Sequence, residues 1–238
     1  MGLTDYFIFS FSALVFVIFS FITSLYYLKR VEVTSPIKLL VTYLGVVVLL
    51  EIIASYSVIG YYSNYQYFSF IENSPFSRNI WVYNFYDIIN PILICLYFLY
   101  YINNKSFKSV AKITLVLYLL SSIYFQFIRT SFFENSSYVV IAGTFIILGV
   151  IFQFFYELLK SDLILQLKTY LPMYVAVGVF VFNVANAPLA IFSDYFNVST
   201  GNFLFVKLQV YIVLISNLFM YSCFIIGFLV CSKKMKSF

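Results

Sequence analysis

Seven apolar stretches, each long enough to cross a bilayer, follow one another along this chain with only short polar breaks between them. By hydropathy they fall at about 6–28, 38–61, 80–102, 110–129, 137–159, 170–192 and 204–231. A helix rises about 1.5 Å per residue, so about 20 apolar residues match a hydrocarbon core about 30 Å thick. No water reaches backbone groups at that depth, and each stretch must satisfy its own N–H and C=O groups, as a helix does. The expectation is an all-α polytopic membrane protein, a seven-transmembrane-helix bundle forming a single domain over 1–238. The breaks carry the polar and turn residues: "KRVEVTSPIK", "SNYQYFSFIENSPFSRN", "NNKSFKS", "RTSFFENSS", "KSDLILQLK" and "SDYFNVSTGN".

Composition agrees and narrows the functions available. Hydrophobic residues make up 63% of the chain and charged ones 10%, where a soluble domain carries about 25% charged. No break within these residues is long enough for a kinase, nuclease or nucleotide-binding module, so such an activity is expected in a separate partner. Nucleic acid is not an expected partner, since an excess of 14 basic over 9 acidic residues in a membrane protein concerns topology. Histidine is absent, and with it the commonest general base and transition-metal ligand. Cys95, Cys223 and Cys231 lie in or at the ends of apolar segments and read as small core residues. No cofactor motif is present. The first stretch has no basic residue before it and no small-residue cleavage site, which reads as a retained span.

Lysine and arginine alternate from break to break. Lys29, Arg30, Lys38, Lys105, Lys108, Lys112, Lys160, Lys168, Lys233, Lys234 and Lys236 fall on one side, against Arg78, Arg129 and Lys207 on the other. The positive-inside rule then expects the N-terminus outside and the C-terminus in the cytoplasm. Tyrosines and Trp81 near the span ends form the interfacial belt.

The spans also contain residues that lipid penalises. Asp87 lies about seven residues, or about 10 Å, below the expected outer edge of the third span. Asn84, Asp87 and Asn90 share a face about 120° wide. Pro91 follows and leaves the Asp87 carbonyl without its helical partner. Glu51 in the second span, Asn183 and Asn186 in the sixth (Asn186 just before Pro188) and Lys207 at the start of the seventh are expected in the same outer half. Ionisable groups at such depth face the bundle interior, pair with one another or line a water-filled path. Lys207 is expected to pair with Asp87 or Glu51, the three converging between the second, third, sixth and seventh helices. The candidate ligand-binding set is therefore Glu51, Asn84, Asp87, Asn90, Asn183, Asn186 and Lys207. The competing reading makes them interhelical glue, each hydrogen bond contributing about 0.6–2 kcal/mol; Gln153 and Asn217, nearer the inner half, read as glue. The aromatic break at 63–79 either folds over the outer mouth or lies in the headgroup layer. Asn135 and Asn197 sit in N-glycosylation patterns.

The run "NIWVYNFYDIINPILICLYFLYYI", with "VTYLGVVVLLEIIASY" before it and "FVKLQVYIVLISNLFMYSCFIIGF" at the end, resembles small seven-helix integral membrane proteins of Bacteroidetes. These often sit beside sensor histidine kinase genes. The resemblance covers most of the chain in the style and order of its segments. It implies a membrane sensor or accessory component in a bacterial inner membrane, and it assigns no functional residue. Microbial rhodopsins also carry a lysine in the seventh helix, but Lys207 lies at a helix end, and the single tryptophan does not make a retinal pocket.

Three functions are thus weighed. A receptor-like or accessory protein would sense an extracellular or lipid-phase ligand in the outer polar pocket and signal to a cytoplasmic or membrane partner. A small transporter or channel for a polar or ionic solute is the alternative, with spans 1–3 and 5–7 as parallel repeats around span 4: Pro36 and Pro172 each open a second helix, and Asn79 and Asn202 each precede a third. An enzyme is not expected, because no motif pairs a nucleophile with a base or a metal.

Overall fold

A computed structural model of the chain describes residues 3–193 and 201–233, with side chains over 11–193 and 201–232. Seven helices are long and apolar enough to cross a membrane. They are α1 (Leu3–Leu28), α2 (Ser35–Tyr62), α3 (Ile80–Leu99), α4 (Lys105–Ile123), α5 (Ser137–Leu159), α6 (Leu171–Ile191) and α7 (Phe203–Lys233). The described chain is an all-helical, multi-pass membrane bundle. Asn197 lies outside the described residues, and Asn135 is exposed in the α4–α5 connection.

Helix limits follow local chemistry. Pro36 and Pro172 sit in the first turns of α2 and α6, where the missing N–H would have had no helical partner. α4 starts five residues earlier than hydropathy places it, because Asn104 caps it by accepting from the Phe107 N–H at 3.0 Å. Its far end widens into a π-helical turn, Tyr124–Arg129. The break at 161–170 is not extended: Asp162–Thr169 forms 3-10 turns that expose Leu163, Ile164 and Leu165.

Packing forms a closed ring in the order α1, α2, α3, α5, α6, α7, with α4 outside it against α5 and α3. The ring is unchanged when α1–α3 are exchanged for α5–α7, a three-plus-one-plus-three layout. Glycines permit the closest approaches: a methyl on Gly178 would lie 3.0 Å from the Met220 carbonyl, and one on Gly227 2.7 Å from Tyr174 Cβ, so α6 and α7 meet almost backbone to backbone.

Successive helices run in opposite directions, which gives the bundle two distinct ends. At one end, the aromatic connection 63–79 meets α2, α3 and the 130–136 connection, and Ser137 of α5 meets Ser193 after α6. At the other lie Lys29, Arg30, Lys38, Lys105, Lys108, Lys160 and Lys168. These are called the aromatic end and the lysine-rich end. Near the lysine-rich end the ring interior is filled by rings from α1, α3, α5 and α7 and from the α3–α4 and α5–α6 connections. Tyr101 lies 6.1 Å from Tyr170, Phe98 5.2 Å from Phe154, and Tyr27 5.5 Å from Phe228.

Candidate functional site

Pro91 determines much of the local structure at Asp87. The carbonyl that Pro91 cannot bond is taken up from another helix: the Tyr118 hydroxyl of α4 donates to the Asp87 carbonyl at 2.8 Å and to the Val139 carbonyl of α5 at 3.3 Å. Gly143 of α5 makes room for this, since a methyl there would lie 2.6 Å from Pro91 Cγ and 3.0 Å from the Tyr118 oxygen. The backbone cost of the proline is thus met by glue between α3, α4 and α5.

The asparagines divide by role. Asn84 is buried and donates to the carbonyls of Phe132 (2.7 Å) and Glu134 (3.0 Å), pinning the 130–136 connection. Gln126, in the π-helical turn, donates to Ser131 (3.2 Å) and Glu134 (3.0 Å) from the other side. Asn183 donates to the Val179 carbonyl one turn back at 2.8 Å. Asn186 donates to the Phe182 carbonyl (2.7 Å) and to Ser216 of α7 (2.9 Å). Asn84, Asn183 and Asn186 therefore spend their amide protons on structure. Gln126 was missed in the sequence because its role depends on a π-helical turn with no local signature.

Glu51, Asp87 and Asn90 are placed differently. Tyr83, Asp87 and Asn90 stand at i, i+4 and i+7 and share one face of α3. Tyr83 reaches across to α2 and donates to Glu51 Oε2 at 3.4 Å. Exposure falls steeply along this face: Tyr83 is 38% exposed, Asp87 and Asn90 are half-buried, and Ile94 is 1% exposed. The face is therefore not a lipid-facing one throughout. Burial increases along it from Tyr83 near the aromatic end to Ile94. The Asp87 carboxyl makes no hydrogen bond or ion pair among the described residues. The Tyr43 and Tyr86 hydroxyls lie 3.5 Å apart between α2 and α3.

Lys207 does not join them, which corrects the expected ion pair. It is exposed in the second turn of α7, and its nearest charge-related contact is the Tyr211 ring, 6.0 Å away. A long lysine side chain this close to a helix end extends to the interface, where its charge stays hydrated. Of the expected convergence, the Tyr83–Glu51 hydrogen bond links α2 to the α3 face that carries Asp87 and Asn90.

The aromatic connection is anchored beside this site. Tyr56 donates to the Arg78 carbonyl at 3.2 Å and accepts from Trp81 Nε1 at 2.8 Å, and the Asn79 amide donates to the Ala54 carbonyl at 3.1 Å. Tyr56, Phe68, Phe76 and Trp81 frame a cavity of about 480 Å³ above α2 and α3. Among the described residues no three His, Cys, Asp or Glu side chains gather as a metal site requires. Comparison with protein-family models, with curated proteins and with solved structures finds nothing that matches this chain.

Proposed function

We propose that this is a receptor-like or accessory membrane protein. It senses an extracellular or lipid-phase ligand at Glu51, Asp87 and Asn90 and passes the signal to a separate partner in the membrane or the cytoplasm. The aromatic end faces outward and the lysine-rich end faces the cytoplasm of a bacterial cell, following the lysine asymmetry. The observation that carries the reading is the unpartnered Asp87 carboxyl on a helix face that becomes buried away from the aromatic end. Asn84 and Asn186 bond to neighbouring segments and Asn183 to its own helix, whereas no hydrogen bond among the described residues engages the Asp87 carboxyl. A charged or polar group held in a span without a partner is costly and marks a site by default.

The alternative, a transporter for a polar or ionic solute, draws on the three-plus-one-plus-three ring, a layout compatible with parallel repeats. The packed aromatic interior near the lysine-rich end favours the receptor.

Thermal-shift screening of the purified chain against polar small molecules tests the site. A compound that raises the unfolding midpoint of the wild type is expected to lose that effect in the Asp87→Asn, Glu51→Gln double variant, whose own midpoint stays close to wild type. A shift that survives in the double variant removes both carboxylates from the site. Uptake of the same compound into proteoliposomes would replace the receptor reading by the transporter one.

A further inference from the structure

The lipid-facing side of α5 is not evenly covered by its neighbours. Two grooves, of about 300 and 500 Å³, meet there at Phe107 of α4 and Gly149 of α5. A methyl built on Gly149 meets nothing within 4 Å, so the groove floor is open at that point. The grooves follow α5 from Phe145 to Leu159, about 21 Å at 1.5 Å per residue. One bilayer leaflet is about 15 Å of hydrocarbon. The trough is thus longer than one leaflet is deep, and apart from Thr114 and Gln153 its walls are apolar.

Its mouth at the lysine-rich end has a different chemistry. Lys160 lies over the Tyr156 ring, 4.1 Å from the centroid, and donates to the Tyr156 hydroxyl, and Tyr156 itself lines the groove. The nearby Glu157 carboxylate keeps its charge, but its oxygens are engaged by donors other than Lys160. It accepts from the backbone N–H groups of Asn103 and Asn104 and from Gln153 Nε2, with Lys108 close by. The middle of the groove carries no charge. An apolar trough ending in an aromatic-supported lysine matches a phospholipid with an anionic head, because basic side chains at a helix end meet lipid phosphates at that depth.

We propose that the α4–α5 groove is a binding site for an anionic phospholipid, its acyl chain lying along Gly149 and its headgroup phosphate meeting Lys160. The site is separate from the polar face of α3 and does not depend on its function.

Native mass spectrometry of the full chain in detergent, titrated with phosphatidylglycerol or phosphatidylcholine of identical acyl chains, tests this. Wild type should retain phosphatidylglycerol about fivefold more tightly, the effect of one interfacial lysine. Lys160→Gln should remove that preference and leave phosphatidylcholine binding unchanged. Gly149→Leu fills the trough and should weaken retention of both lipids about tenfold, with an unfolding midpoint in lipid-free detergent equal to wild type. Equal retention of the two lipids by wild type overturns the headgroup assignment. Wild-type retention by Gly149→Leu overturns the groove. Lys160 is exposed, so Lys160→Gln decides the matter even if Gly149→Leu is poorly folded.

Discussion

At the scale of single residues, the Asp87 carbonyl is bonded by Tyr118 and the proposed ligand role belongs to the separate carboxyl. The carbonyl is structural. Tyr118→Phe keeps the ring but removes the proton that both Asp87 and Val139 carbonyls share. The variant should lose about 1–2 kcal/mol, one interhelical bond plus an unsatisfied carbonyl beside Pro91. Thermal unfolding in detergent measures this, and a midpoint equal to wild type would mean that water or backbone relaxation repairs the proline break. The carboxyl role is untouched by Tyr118→Phe, so a ligand shift that depends on Asp87 should persist in it. Asn84 shows why the sequence does not separate these roles. Asn84, Asp87 and Asn90 share one broad helical face, yet a face about 120° wide touches more than one neighbour in a packed ring. Asn84 turns to the 130–136 connection, and Tyr83, one turn before Asp87, reaches α2.

At the scale of helices, glycines separate positions where helices meet from positions left open on the bundle surface. Gly143 and Gly149 lie on the same helix and read alike in the sequence. A methyl on Gly143 would strike Pro91 and Tyr118, whereas on Gly149 it meets nothing. Gly143→Ala should therefore cost about 1–3 kcal/mol by overpacking the α3–α5 contact. Gly149→Ala should be neutral or stabilise by up to about 1 kcal/mol, from helix propensity alone. Thermal midpoints of the two variants measured side by side check the contrast; equal losses would mean that α5 packs differently from the ring described. The spans themselves were legible in the sequence because length and apolarity suffice to require a helix in hydrocarbon. The ring order was not. A span is apolar toward lipid and toward protein alike, so its composition does not report which neighbour it meets. The position of α4 outside the ring appears only in the packing.

At the scale of the whole molecule, the placement of the site outside the cell rests on how the bundle sits in the bilayer. The alternation of helices brings the lysines together at one end and the 63–79 connection, with Arg78, to the other. The positive-inside rule converts that asymmetry into an orientation, because basic residues in short loops resist translocation. Single cysteines at Ser74, in the aromatic connection, and Ser106, in the first turn of α4, test it in intact cells with a membrane-impermeant maleimide. Cys95 and Cys231 are buried and Cys223 is half-buried, so replacing all three by alanine gives a silent background. Ser74→Cys should label in intact cells, and Ser106→Cys only after the membrane is opened. Labelling of both from outside would contradict the alternating bundle itself. The reverse pattern would leave the fold intact and turn the bundle end nearest Glu51 and Asp87 toward the cytoplasm. An extracellular ligand would then be excluded, and the same two carboxylates would be read as a site filled from within the cell.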